Sequence, residues 1–243
     1  MFDGIEAVLF DLDETLIDAE TGLMKAHERV AHLILEFLKV SGVQVDTADF
    51  LLKIKLLDDH MNRDSQYDRN LWWPTLVAEF DPSLELPEDL ASRMTAEYWE
   101  SYSKYSLPYP DTISVLECLR QRGYKLGLVS DTDGSPGVKL RRINMLPFRE
   151  FLSVVVVAGE DTVELKPSPV PFLKASRLLD VSNEATVFVG DKPFTDIAGA
   201  KEAGMRTIHV WRRRWESDVM ADLTVRSLTD LLPVLLHASA QLR

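Results

Sequence analysis

One cysteine, Cys118, in 243 residues excludes an intrachain disulfide and any cysteine-based zinc cluster. A single thiol fits a reducing compartment, and a cytoplasmic location is expected. Long apolar runs are missing too: nothing approaches the roughly 20 residues of a bilayer-spanning helix. The opening segment Met1 to Phe10 holds a short apolar run, Ala7 to Phe10, without a basic leader, so neither a signal peptide nor a membrane anchor is expected. Positive charge is scarce. With 27 Lys and Arg against 39 Asp and Glu, the net charge is −12, and the average surface repels nucleic-acid backbones and anionic lipid heads. Neither nucleic acid nor a membrane is an expected partner. The five histidines (His27, His32, His60, His209 and His237) are scattered, and His27 and His32 lie five apart rather than the four that would share a helical metal face. What remains is 46% hydrophobic and 27% charged residues, the mixture of a folded protein with a substantial core.

Five short apolar runs read as strands: Ala7 to Phe10, Lys125 to Val129, Val154 to Val157, Thr186 to Val189 and Thr207 to Val210. Polar or turn-forming residues and then a helical pattern follow them, and that alternation predicts a parallel sheet covered on both faces. Ser168 before Pro169 marks one helix start, with Phe172, Ala175 and Leu179 at helical spacing behind it. Another helix is predicted after Thr195, where Ile197, Ala200 and Ala203 recur every three residues and Gly204 supplies the stop.

The connection between the first two strands is far longer than the roughly 30 residues of a βαβ unit. Leu23, His27, Val30, Ile34, Phe37 and Leu38 fall near one helical face, and further helical stretches are predicted near 46–60, 67–79 and 87–102. Residues 17–104 therefore read as a helical insert, and 1–16 with 105–243 as the α/β core. No repeat or low-complexity segment interrupts either part.

Ligands in open α/β sheets gather at the carboxyl ends of the strands. The first strand runs into Asp11-Leu12-Asp13-Glu14-Thr15, the second ends at Ser130, a later loop carries Lys166-Pro167, and the fourth ends in Gly190-Asp191-Lys192-Pro193-Phe194-Thr195-Asp196. Taken singly these are an acidic turn, a turn serine, a solvated lysine and a helix-start aspartate. In order, each beside a predicted strand end, they converge on one edge.

The combination resembles the haloacid dehalogenase superfamily of aspartate-nucleophile phosphohydrolases. There DxDx[TV], a Ser or Thr ending the second strand, a Lys, and GDxxxxD form four ordered motifs. The matching residues here are Asp11, Asp13 and Thr15; Ser130; Lys166; and Asp191 with Asp196. The resemblance covers about 1–16 and 105–243, and implies a Rossmann-like parallel sheet core with an inserted α-helical cap. It also implies Mg²⁺ held by Asp11, the Asp13 backbone carbonyl and Asp191, with Asp196 and Thr15 standing behind those ligands. Asp131 occupies a position where many relatives have Asn. Ser130, Asp131 and Lys166 are the expected phosphate-binding residues.

The side chains suit these roles. Asp11 can attack phosphorus to give an aspartyl-phosphate, splitting one difficult displacement into two easier ones. Asp13 can protonate the departing alcohol and later take a proton from water. Ser130 can donate a hydrogen bond to a non-bridging oxygen, and Lys166 offers a compact positive charge. Four aspartates against Lys166 alone leave a large negative excess before any phosphate arrives. That excess calls for a divalent cation and a proton on Asp13, and the oxygen donors suit hard Mg²⁺ better than zinc.

The expected partner is a small phosphorylated metabolite and the expected activity its hydrolysis. A phosphomutase of the same architecture is the first alternative. A haloacid dehalogenase is disfavoured by Asp13, since a halide needs no proton, and a non-catalytic phosphate-binding regulator is disfavoured by the intact motifs. Oligomeric state is not legible. In the insert, Arg63, Tyr67, Arg69, Trp72 and Trp73 are candidates for leaving-group contacts, although aromatic core positions with solvated arginines are the favoured reading. Cys118 shares an apolar stripe with Val115 and is expected in the core.

Overall fold

The computed structural model describes residues 2–239. These residues divide into two compact units, one of 2–18, 108–132 and 139–239, the other of 19–107 and 133–138.

The first unit is built on a six-stranded parallel sheet. Its strands are β1 (Ala7–Phe10), β2 (Lys125–Asp131), β3 (Val154–Ala158), β4 (Thr186–Gly190), β5 (Arg206–Val210) and β6 (Leu223–Val225), in the spatial order β3-β2-β1-β4-β5-β6. All five expected strands are present. The short β6 was not anticipated, because three residues carry no readable pattern.

Alternation along β1 explains the two-sided core. Val8 and Phe10 pack on one face with Val115, Leu128, Ile143 and Phe148, while Ala7 and Leu9 pack on the other with Val129, Phe172, Phe188 and Ala200. β1 lies between β2 and β4, with Phe10 opposite Leu128 on one side and Val189 on the other. This register brings the residues that follow β1, β2 and β4 to the same edge, and positions the site.

The helix after β3 spans Val170–Leu179, one residue beyond the expected Pro169 start, and Ser168 Oγ accepts from the Val170 N–H at 3.3 Å. After β4 the chain makes a π turn, Pro193–Ile197, before the helix Ala198–Glu202, and Gly204 follows with φ +80°. The helix Thr112–Gln121 carries Cys118, which is half-buried rather than in the core; the apolar side of that helix is filled by Val115, Leu116 and Leu119.

The second unit is helical: α1 (Ala19–Val40), α2 (Thr47–Arg63), α3 (Arg69–Ala78) and α4 (Glu88–Tyr105). Asp46 caps α2 by accepting from the Ala48 and Asp49 N–H groups. Val30, Ile34, Phe50, Ile54, Trp72, Trp73, Met94 and Tyr98 form its buried centre. Residues 133–138 join this unit because Gly134, at φ +85°, lies against the Tyr67 backbone: a Cβ there would come within 2.2 Å of the Tyr67 carbonyl carbon and oxygen.

Candidate active site

The pairing of β1 with β4 continues one residue past β1, since the Asp11 N–H donates to the Val189 carbonyl at 2.9 Å. That holds the buried Asp11 at the sheet edge. Lys166 Nζ donates to Asp11 Oδ1 at 2.6 Å, and Thr15 Oγ1 to Oδ2 at 3.4 Å. Burial pushes the Asp11 carboxyl above its ordinary range, with Lys166 opposing.

Lys166 also donates to Asp196 Oδ1 at 2.7 Å. Burial would drive this amine toward neutrality, yet Asp11, Asp196 and Asp131 together hold it well above the usual lysine range. Its backbone N–H donates to Asp131 Oδ1 at 3.0 Å. The Asp131 carboxylate, expected beside the phosphate, is thus engaged in holding the segment that carries Lys166. Ser130 is buried at the end of β2.

The segment after β4 is tightly built. Asp196 Oδ2 accepts from the Lys192 N–H at 3.0 Å, which folds the carboxylate back over Gly190. A Cβ on Gly190 would stand 2.5 Å from that oxygen, so the Gly-Asp pair is a steric requirement of the turn. Asp11, Asp191 and Asp196 each present a carboxylate oxygen within 4.8 Å of the others. Both oxygens of Asp196 have protein donors. Asp191 is different: it is fully buried, Oδ2 accepts from Trp215 Nε1 at 3.4 Å, and Oδ1 has no hydrogen-bond partner among the described residues. Burial drives its pKa well up, against the pull of Lys192. A buried carboxylate oxygen without a donor is costly in a protein interior, and hard oxygen donors from Asp11 and Asp191 suit a cation such as Mg²⁺.

Asp13 corrects the charge argument. Its carboxylate meets Lys139 Nζ at 2.6 Å and Arg142 Nη2 at 2.9 Å, both on the helix Val138–Asn144. Although burial works the other way, these two cations hold Asp13 well below the ordinary aspartate range. In the site without substrate these two cations stand where the charge count called for a proton on Asp13. Lys192, raised by Asp191 and Asp11 despite burial, adds a fourth cation. Four carboxylates face Lys139, Arg142, Lys166 and Lys192.

Sequence reasoning missed Lys139, Arg142 and Lys192. Lys139 and Arg142 had a usable signal: basic residues three apart on a helix directly after the second motif share a face. Trp215 and His209, whose Nε2 lies 3.0 Å from the Asp191 carbonyl oxygen, had none.

The insert candidates fall elsewhere. Trp72 Nε1 donates to the Gln66 carbonyl and Trp73 Nε1 to Thr95 Oγ1, so both are core residues of the helical unit. Arg63 is exposed and Tyr67 half-buried. Arg69 is not a solvated arginine: it is buried, stacked 3.8 Å over Trp72 and within reach of Tyr98 Oη and Asp58. The desolvation of its guanidinium is offset by the Trp72 face three residues on and by Asp58 and Tyr98, which lie 11 and 29 residues away in sequence.

Comparison with known proteins gives a family match. The model of the haloacid dehalogenase-like hydrolases matches residues 8–210. A glyceraldehyde 3-phosphate phosphatase of Methanopyrus kandleri is 32% identical over 212 residues, which is 87% of this chain and 86% of that protein. A phosphoglycolate phosphatase of Escherichia coli K12 is 28% identical over 243 residues, 96% of this chain and 94% of that protein. Among solved structures, a HAD phosphatase from Thermococcus onnurineus is 30% identical with a TM-score of 0.66, covering 95% of this chain and 98% of the other.

Proposed function

The chain belongs to the haloacid dehalogenase-like hydrolases, and from that premise we propose that it is a Mg²⁺-dependent phosphatase of a small, soluble phosphomonoester. The observation that carries the reading is the unpartnered, fully buried Asp191 Oδ1 in the carboxylate group it forms with Asp11, beside the Lys166 ammonium.

Asp11 is the nucleophile. Its carboxylate oxygen forms a bond to phosphorus as the bond to the leaving alcohol oxygen breaks, giving an aspartyl-phosphate and the alcohol. Water then attacks phosphorus and returns Asp11 with inorganic phosphate. Lys166 supplies positive charge at the nucleophile, and the Ser130 hydroxyl donates to a phosphoryl oxygen. Asp13, held ionised by Lys139 and Arg142 before substrate enters, takes up a proton with the incoming phosphate, gives it to the leaving alcohol oxygen in the first step and accepts one from the attacking water in the second. Bound Mg²⁺, held by Asp11, Asp191 and the Asp13 carbonyl, would neutralise charge on the transferring phosphoryl group.

Relatives named for two- and three-carbon phosphates direct the substrate search to small phosphorylated acids and aldehydes. Phosphate release from a panel including glyceraldehyde 3-phosphate and phosphoglycolate, with Mg²⁺ and with a chelator, tests the reading. Mg²⁺-dependent release that is lost in Asp11→Asn supports it. No release from any member, or equal release by the variant, overturns it.

A further inference from the structure

Beyond β5 the chain crosses the sheet edge as Trp211-Arg212-Arg213-Arg214-Trp215 and returns through Ser217 to Ala221 before β6. This crossing encloses a recess of about 270 Å³ whose walls include Pro193, His209, Trp211, Arg214, Trp215 and Met220. Asp11, Asp13, Ser130 and Lys166 are not among its walls. The volume lies just under the roughly 300–1,000 Å³ of drug-sized ligand sites, so one or two fused rings are its natural load.

Two of its walls are exposed apolar side chains, Trp211 at 42% and Met220 at 73%, and Phe194, 41% exposed, packs against the Trp215 wall. Single exposed apolar residues are ordinary, but Trp211 and Met220 on the wall, with Phe194 packed on the Trp215 wall, form a patch of the kind that marks ligand sites. The charge is equally local. On a chain of net charge −12, Arg213 and Arg214 stand here against Glu216 and Asp218, while Arg212 is turned to Asp111 and the Tyr109 ring. Arg213 lies 3.5 Å over the Trp215 ring and Arg226 4.6 Å over Trp211, while Arg214 lines the recess itself. Arg214 is the guanidinium on the wall, and its planar fork of donors matches a carboxylate or phosphate.

Two walls lead to the metal side of the candidate active site. His209 Nε2 is 3.0 Å from the Asp191 carbonyl oxygen, and Trp215 Nε1 donates to Asp191 Oδ2 at 3.4 Å, with the Trp215 ring packed edge-to-face on Phe194 at 5.2 Å. An occupant that shifts Trp215 alters the one donor that Asp191 Oδ2 has among these contacts.

We propose that this recess is a second small-molecule site, taking a flat ring with one anionic group, and that its occupancy is communicated to Asp191 through Trp215. The first half stands independently of the catalytic reading; the second rests on Asp191 being a metal ligand.

Calorimetry with 2-naphthoate, its neutral analogue 2-naphthamide, and acetate tests it on the intact protein. Naphthoate is expected to bind about tenfold or more tighter than either comparator, because ring and charge are both recognised, and the exposed Arg214→Gln variant is expected to lose about tenfold of that affinity. Naphthoate binding no tighter than acetate or the amide, or unchanged in Arg214→Gln, overturns the site. Mg²⁺ titration with and without saturating naphthoate then reads the coupling. A shift in Mg²⁺ affinity present in the native protein and absent in Trp215→Phe supports it, and no shift in the native protein overturns it. Failure of Mg²⁺ to bind at all, with naphthoate still bound, overturns the metal reading and the coupling while leaving the ring site standing.

Discussion

Lys139 Nζ lies 2.6 Å from Asp13 Oδ2, a pairing across 126 residues that, with Arg142 on the other oxygen, holds the Asp13 carboxylate from both sides. Removing either cation while keeping bulk, as Lys139→Met or Arg142→Met, is expected to lower kcat by about tenfold to a hundredfold, part of the range a general acid–base group supplies. Steady-state kinetics beside a circular dichroism spectrum check this. Native kcat in both variants would remove Asp13 positioning from the account.

Gly190→Ala tests the tight turn ahead of Asp191. The new methyl group would meet the fully buried Asp196 carboxylate at 2.5 Å, and relieving that overlap must move Asp196 away from Lys166 or from the Lys192 N–H. A loss of about 1–3 kcal/mol in urea unfolding is expected, the usual range for overpacking, together with reduced activity. An unaltered unfolding midpoint would contradict the geometry.

His27 makes the helical unit sensitive to acid. Burial, aided by the charge of Arg69, lowers its pKa from 6.5 to about 3, so the folded state holds the ring neutral while the unfolded chain protonates below 6.5. Stability from this source is complete above pH 6.5 and is lost as pH falls toward 3, at about 1.4 kcal/mol per unit. Between pH 7 and pH 5 the stability difference between native protein and His27→Gln should narrow by about 2 kcal/mol. Parallel pH profiles would rule the histidine out.

Three buried carboxylates within 4.8 Å of one another should make folding respond to a divalent cation. Mg²⁺ at a hundred times its Kd is expected to stabilise the native protein by about 2.7 kcal/mol. Thermal melts with Mg²⁺ and with a chelator measure this, and the shift should vanish in Asp191→Asn. An equal shift in the variant would place the ion elsewhere.

The sheet was legible because β1 to β5 are continuous apolar runs with turn chemistry behind them, and strand ends in a parallel sheet share an edge. The same logic brings Asp11, Lys166, Asp191 and Asp196 together from the sequence. Contacts set by side-chain reach were not legible. A charge count with Lys166 alone leaves out Lys139 and Arg142, which reach Asp13 across 126 and 129 residues, so it is too negative and calls for a proton on Asp13. Arg69 reads as solvated because Tyr98 and Asp58 reach it only through the packing of α3 with α4 and α2, although Trp72 lies three residues along its own helix. Trp215 touches Asp191 through a loop with no periodicity at all.

The most direct test of the catalytic proposal is acid-quenched turnover followed by mass analysis of the peptide containing Asp11. The proposal predicts one phosphoryl group covalently attached to Asp11 in the native protein and none at that position in Asp11→Asn. A phosphoryl group on another residue, or full turnover by the variant, would contradict it.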